Sequence, residues 1–162
     1  LYPQITAQIE HPSYFDELVD LAQSTTPLLG QGNRRSYGDA CLAPRVVSTL
    51  GLRHLLAFDP KNGLLRAEAG TTLEEIIRFA LPRGFFLPVT PGTQLATVGG
   101  CVSCDIHGKN WKAGSFQKFV KGLSLMLHEV PLSNLGTVHP IFDSTLQAHQ
   151  LGWQIPKQDP LR

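Results

Sequence analysis

The most informative stretch of this sequence is residues 99–110, which read GGCVSCDIHGKN. It opens on two adjacent glycines, and a backbone without side chains lets a ligand approach closely. It also contains His107, the residue type whose charge changes near neutral pH. We therefore expect a backbone surface for a flat or phosphorylated ligand, with an imidazole at its edge.

A second glycine-containing run precedes it at residues 30–39, which read GQGNRRSYGD. It does not match a Rossmann fingerprint, because Arg35 stands where the third glycine belongs. A Walker loop is excluded because no Gly-Lys-Ser/Thr follows. A backbone nest for phosphate remains, with Arg34 or Arg35 as charge partner, and so does a plain surface turn. Two such loops in one domain suggest one extended ligand that is held twice.

Composition limits the classes of protein to consider. The chain has 162 residues, 42% hydrophobic and 17% charged, which is typical of a folded domain or two small lobes. A net charge of +1 gives no argument for nucleic-acid binding. Three cysteines without a disulfide framework favour a reducing compartment, so we expect a cytoplasmic protein. No apolar run approaches the roughly 20 residues of a membrane span, no signal peptide is visible, and the start at Leu1 suggests a fragment or processed chain.

Short helices and strands alternate along the chain and predict an α+β fold. Apolar spacing predicts helices over residues 15–22 and 73–80, the second capped by Thr71-Thr72 with Glu74 and Glu75 three residues later. Residues 59–63 read DPKNG and predict the turn of a β-hairpin. No periodicity follows Leu127, so no element is assigned there. Strands are expected at residues 26–29, 46–50, 54–58, 64–69, 85–88 and 119–127.

The spacing of Cys101, Cys104 and His107 is that of three metal ligands. A structural zinc site needs four ligands, and the fourth is not evident. Small buried cysteines beside a histidine are the simpler interpretation. A thioredoxin-like site would need this C-x-x-C at a strand-to-helix junction, and here it follows two glycines. A small metal-binding module stays as a minor alternative, and we assign no metal ligands.

Several segments in the same order resemble the FAD-binding domain of the vanillyl-alcohol oxidase and p-cresol methylhydroxylase superfamily. They cover about residues 27–127. Within the superfamily they are most similar to the sugar-oxidising group of decaprenylphosphoryl-β-D-ribose oxidases and aldonolactone oxidases. The matching segments are residues 30–39, 91–93 (PGT), 97–100 (TVGG), 105–110 (DIHGKN) and 114–116 (GSF).

The resemblance implies a two-subdomain FAD-binding fold over residues 1–127, with a first subdomain at about 1–90 and the start of a second at 91–127. Residues 128–162 would be a degenerate or truncated remainder, because Gln147, Ala148 and Gln150 replace glycines of a later family segment. The substrate domain of the family would then be missing.

The resemblance also implies the site. Non-covalent FAD is expected, because Arg35 stands where some relatives carry a flavin-linked histidine. Arg34 stands where the nearest relatives have glycine, and His107 would be the catalytic residue at the flavin. The cofactor-binding residues would be Gln31, Gly32, Asn33, Arg34, Arg35, Ser36, Tyr37, Pro91, Gly92, Thr93, Thr97, Gly99, Gly100, Ser103, Cys104, Ile106, His107 and Gly108.

The implied activity is oxidation of a CH–OH group of a sugar, polyol or sugar lactone by hydride transfer to the flavin. The alternative is a truncated, catalytically inactive flavin-binding remnant, and the altered residues after position 127 motivate it. The expected partner is a small sugar or polyol, with no nucleic acid, no membrane span and the oligomeric state left open.

Overall fold

Two β-sheets organise the computed structural model, which describes residues 4–24, 26–124 and the backbone of 152–154. The first sheet contains β1 (Gln8–Glu10), β2 (Leu29–Gln31) and β3 (Arg45–Ser48), in the order β1-β3-β2 and parallel throughout. Parallel strands need crossover connections, and helix α1 (Phe15–Ala22) lies in the chain between β1 and β2, the two strands that flank β3. The predicted helix over residues 15–22 is confirmed.

Strand β2 begins later than the sequence predicts. The predicted strand was residues 26–29, but pairing with β3 runs from Leu29 to Gln31. Pro27 has no N–H to donate to a neighbouring strand, which explains why pairing does not include it. The shift places the buried Gln31 at the end of β2, directly before the first glycine loop.

The second sheet has four strands, and every neighbouring pair is antiparallel. Their order is β4-β5-β7-β6, with bounds β4 (Leu55–Asp59), β5 (Leu64–Ala67), β6 (Val120–Gly122) and β7 (Gly152–Gln154). No element was assigned after Leu127, so β7 corrects that expectation. A three-residue strand is too short to show period-two alternation in the sequence.

A hairpin joins β4 to β5, as the turn residues predict. The Asp59 carboxylate accepts hydrogen bonds from the side chain of Asn62 (2.7 Å) and from the backbone N–H groups of Lys61 and Asn62 (2.9 and 3.3 Å). These bonds, that of the Asn62 side chain first, hold the pKa of Asp59 below its usual value. Gly63 has a φ of +63°, a conformation that glycine adopts without strain.

Helix α2 (Leu73–Ala80) packs its apolar face into the core. The Thr72 side chain accepts from the N–H of Glu75 (3.2 Å), and the Glu75 carboxylate accepts from the N–H of Thr72 (2.8 Å). This is the predicted capping box, and it satisfies backbone donors at the helix start. Leu73 and Ile76 are fully buried.

Aromatic rings fill the space between α2 and the second sheet. Phe58 of β4 meets Phe79 and Phe85 edge to face, with ring centroids 5.3 and 5.2 Å apart. The predicted strand at 85–88 is not a regular strand, although Phe85 and Leu87 are buried. The predicted strand at 119–127 is reduced to β6, after a single 3-10 turn at Phe116–Phe119, and residues 125–127 lie outside the described residues.

Candidate functional site

The double glycine lies in the first turn of a short helix, α3 (Val98–Ser103), rather than in an open loop. The Thr97 hydroxyl caps this helix by accepting from the N–H of Gly100 (3.3 Å). A Cβ on Gly99 would lie 3.1 Å from the Cβ of Ala69, whereas a Cβ on Gly100 would meet only the Thr97 hydroxyl at 3.2 Å. Gly99 therefore packs against Ala69, whereas the only close neighbour of a side chain at Gly100 would be the Thr97 hydroxyl.

After α3 the chain turns back, and this turn places His107. Asp105 has a φ of +40°, and its carboxylate accepts from the backbone N–H of Gln117 (2.9 Å). His107 then forms an isolated antiparallel bridge with Ser115. The backbone of His107 is thus fixed, while its ring is exposed and has no hydrogen-bond partner among the described residues.

An open cleft of about 950 Å³ lies between three segments of the chain. Seven of the predicted site residues line it, namely Tyr37, Pro91, Gly92, Cys104, Ile106, His107 and Gly108. A second cavity of about 490 Å³ contains predicted Thr93 and shares residues 90–92 with the cleft. The other predicted residues line neither cavity: Gln31, Gly32, Asn33, Arg34, Arg35, Ser36, Thr97, Gly99, Gly100 and Ser103.

The sequence missed six residues that line the cleft: Phe86, Leu87, Pro88, Thr90, Lys109 and Asn110. Phe86 was placed in a buried strand, but it is only partly buried and lines the cleft. Lys109 and Asn110 belong to the quoted motif at residues 99–110, so their place in the motif could have predicted that they line the site. Lys109 is exposed and forms no ion pair with a described residue, which leaves an unpaired positive charge at the cleft.

The first glycine loop lies directly against the second segment. A Cβ on Gly32 would lie 2.2 Å from the Thr97 hydroxyl, so the backbone of Gly32 packs directly against the Thr97 side chain. The Asn33 side chain donates to the carbonyl of Leu95 (2.9 Å) and joins the same two segments. Both glycine runs therefore belong to one surface, as a single extended ligand would require.

The first loop also offers consecutive backbone donors. Arg34 has a φ of +53°, the left-handed conformation that occurs within anion-binding nests. No acceptor among the described residues takes the backbone N–H groups of residues 33–37. Arg35 is exposed and forms no ion pair within the described part of the chain. This arrangement suits a phosphate group, because free N–H donors and an unpaired guanidinium lie together.

The three cysteine-motif residues do not converge on a metal site. Cys101 is fully buried in α3, whereas Cys104 and His107 are exposed. Over residues 4–24 and 26–124, no group of three His, Cys, Asp or Glu side chains is arranged to hold a metal. The geometry gives no support to the metal-binding alternative.

Burial raises the pKa of the Cys101 thiol from 9.0 to about 12, and the neighbouring Cys104 adds to this increase. The thiol thus stays protonated in the folded state at pH values where the unfolded chain loses its proton. Its contribution to stability is complete below about pH 9 and is lost as the pH rises towards about 12.

We predict that iodoacetamide at pH 8 alkylates Cys104 first and leaves Cys101 unmodified in the folded protein. The reactive species is the thiolate, and Cys101 is both buried and held in the thiol form. Peptide mass spectrometry after timed quenching measures the two rates, with a urea-unfolded sample as control. Equal labelling of both cysteines in the folded protein would contradict the placement of α3.

A glycine loop that packs against the start of a glycine-containing helix, beside an open cleft, is typical of a binding domain for an extended, phosphorylated cofactor. The chain belongs to the family described as FAD binding domain, whose model matches residues 3–129. FAD is therefore the cofactor of this domain, and the predicted α+β fold of the vanillyl-alcohol oxidase type is confirmed.

Individual relatives agree with this assignment. The chain is 35% identical over 119 residues to decaprenylphosphoryl-β-D-ribose oxidase of Mycolicibacterium smegmatis, a match covering 72% of this chain and 26% of that protein. It is 30% identical over 120 residues to probable L-gulonolactone oxidase 4 of Arabidopsis thaliana, covering 67% and 21%. The solved structure of alkyldihydroxyacetonephosphate synthase shares the fold, with a TM-score of 0.69 at 15% identity over 92% of this chain and 31% of that one.

The chain spans about a quarter of the length of these curated relatives. Among the described residues, no helix is long and apolar enough to cross a membrane.

The residues of the site fit FAD. Its pyrophosphate matches the unpaired N–H groups of residues 33–37 and the Arg35 guanidinium. Its flat ring system matches an open cleft whose walls carry Tyr37 and Phe86. Tyr37 is 97% exposed, so its ring is available for such a contact.

Proposed function

We propose that this chain binds FAD non-covalently along the joined glycine loops and serves the oxidation of a CH–OH group of a sugar, polyol or sugar lactone. The observation that carries the proposal is the contact of Gly32 with Thr97. It brings the first glycine loop against the residue that caps α3, and Tyr37 of the same loop lines the cleft beside His107. Separated loops could not hold the two ends of one cofactor.

When bound, FAD supplies the two-electron acceptor for the reaction. The first loop would hold the phosphates through the N–H groups of residues 33–37, and Arg35 would neutralise their charge. Gly92 has no atom within 4 Å of where a Cβ would stand, so its backbone can lie against a flat ring. At the cleft, a ring nitrogen of His107 would accept the proton that a substrate hydroxyl loses.

The substrate class is supported by the names of two relatives, a ribose oxidase and a gulonolactone oxidase. Three polar side chains on one side of the cleft are compatible with that class, because His107, Lys109 and Asn110 can form hydrogen bonds to hydroxyl groups. The non-covalent mode is supported by Arg35, whose guanidinium is not a nucleophile that could attach to the flavin ring.

The experiment that tests the proposal is reconstitution of the purified chain with FAD, followed by gel filtration and absorbance. We expect a yellow protein with one FAD for each chain, released as free FAD by denaturation in acid. Bound flavin that stays with the denatured protein would contradict the non-covalent mode. No bound FAD, either as purified or after reconstitution, would overturn the proposed function.

Replacing Arg35 with alanine is predicted to weaken FAD binding by about tenfold and to leave riboflavin binding unchanged. The reason is that riboflavin lacks the phosphates that the Arg35 guanidinium would neutralise. Fluorescence titration with both ligands, at low and high salt, measures the effect, which should shrink as salt screens the charge. Arg78→Ala, on the exposed face of α2, is the matched control. Equal losses for the two ligands would place Arg35 away from the phosphates.

His107→Ala is predicted to shift the absorbance maximum or midpoint potential of bound flavin while the melting temperature changes by less than about 2 °C. The exposed His107 ring has no partner among the described residues, so its removal opens no cavity and breaks no hydrogen bond. Spectroelectrochemistry and thermal unfolding of the same preparation decide the point. A large loss of stability with an unchanged potential would make His107 structural.

A further inference from the structure

Gln31 was expected to contribute its backbone N–H to the cofactor site, and its side chain is occupied within the protein. It is only 5% exposed, and its Nε2 donates to the carbonyl of Cys41 at 2.7 Å. Its Oε1 accepts from the Nε of Arg34 at 2.9 Å. One amide therefore joins the two ends of the first glycine loop and also binds a residue in its middle.

From this geometry we infer that Gln31 is a positioning residue, which closes residues 31–41 into a ring that is formed before FAD binds. The inference rests on the proposed function and deepens it. It assigns the phosphate contacts to the backbone and Arg35, and it gives Gln31 and Arg34 the task of holding the loop in shape.

The backbone of Gln31 is itself fixed, which makes its side chain a firm anchor. Gln31 pairs with Ser48 in the parallel sheet, and its carbonyl accepts from the Thr49 hydroxyl (3.3 Å). Both β-strand pairing and burial therefore hold the amide in place. A buried amide with its donor and acceptor both used is costly to rearrange.

The bond to Arg34 explains how a non-glycine residue keeps its unusual backbone conformation. Arg34 has a φ of +53°, which residues with a Cβ seldom adopt. The hydrogen bond from Arg34 Nε to Gln31 Oε1 ties the Arg34 side chain to the strand end and so favours this conformation. No described acceptor takes the N–H groups of the residues that follow.

A preformed loop has a direct consequence for affinity. Ordering about ten residues at the moment of binding would oppose association through lost conformational entropy. With the Gln31 amide in place, that ordering occurs on folding. The benefit applies to ligands that contact this loop, so it should distinguish FAD from riboflavin.

The test compares Gln31→Met with the wild-type chain in two measurements. Methionine keeps the length of the side chain but has no amide, and Gln117→Met is the matched control on an exposed turn. The first measurement is the rate of trypsin cleavage after Arg34 and Arg35 without flavin, relative to cleavage after Lys61. The second is the ratio of the dissociation constants for FAD and riboflavin.

We expect Gln31→Met to raise the relative cleavage rate in the loop by at least about fivefold, because a protease needs a mobile segment. We expect FAD to bind about tenfold more weakly while riboflavin binding is unchanged. Gln117→Met should change neither. If Gln31→Met does not fold, Gln31→Glu replaces it, because it keeps the acceptor for Arg34 but removes the Nε2–H donor to the Cys41 carbonyl, which is the bond that closes the ring.

Each other result decides against the inference. An unchanged cleavage rate would show that Gln31 does not hold residues 31–41 in a closed ring. If FAD also bound more weakly at that unchanged rate, Gln31 would be a direct contact of the ligand. A lower melting temperature with an unchanged ratio of dissociation constants would leave Gln31 a merely structural residue. Failure of the wild-type chain to bind FAD overturns the proposed function instead, and the cleavage experiment still decides whether the ring exists.

Discussion

Gly108→Ala should lower the free energy of unfolding by about 3 kcal/mol, although it adds a single methyl group. A Cβ at Gly108 would lie 2.4 Å from the backbone carbonyl oxygen of Thr90. A backbone atom cannot rotate away as a side chain can, so the two walls of the cleft would be forced apart. Urea denaturation of the wild-type and variant chains measures the change.

Gly92→Ala is the control for this prediction, because both glycines line the same cleft. No atom lies within 4 Å of a Cβ at Gly92, so the free energy of unfolding should change by less than about 0.5 kcal/mol. If Gly108→Ala were as stable as Gly92→Ala, residues 90 and 108 could not be in contact as described.

Gly100→Val should weaken FAD binding by on the order of 100-fold, equivalent to about 2.7 kcal/mol, in a chain that still folds. The added side chain would extend into open space on the first turn of α3, where the proposed cofactor passes. Its only close protein neighbour is the Thr97 hydroxyl, at 3.2 Å from the Cβ. Flavin fluorescence titration measures the loss, and circular dichroism checks the fold.

Gly99→Val is the comparison that distinguishes a loss of FAD affinity from a loss of stability. Its Cβ would press on Ala69, 3.1 Å from the Cβ and 3.2 Å from the carbonyl oxygen, so we expect reduced stability with or without flavin. Wild-type FAD affinity in Gly100→Val would show that the cofactor does not cross this turn. We therefore expect Gly99→Val to lower stability and Gly100→Val to lower the affinity for FAD.

These glycines show what the sequence could and could not predict about the site. Glycine in a loop indicates a close approach to the backbone, but not what approaches. The sequence attributed every such position to the ligand. The structure gives Gly32, Gly99 and Gly108 close protein neighbours, leaves Gly92 open, and gives Gly100 only the Thr97 hydroxyl. That distinction depends on contacts between distant segments, which no local pattern contains.

Elements with strong local signals were predicted well. The capping box at Thr72 and the DPKNG turn are determined by neighbours in the chain, and both occur as expected. The start of β2 depends on its pairing with β3, and the burial of Phe85 without a regular strand depends on packing against Phe58. The role of Gln31 could not be predicted from the sequence either, because its hydrogen bonds to Cys41 and Arg34 depend on the folded shape of the loop.

Strand β7 has a consequence for how the chain is made. It pairs with β5 and with β6. Residues 64–66 can therefore form their pairing with β7 only after a segment roughly 90 positions further along the chain has been synthesised. Until a ribosome has delivered residues 152–154, both of those strands present unpaired edges that can join to other chains. Synthesis of this protein at high concentration should therefore depend on chaperones that shield the nascent sheet.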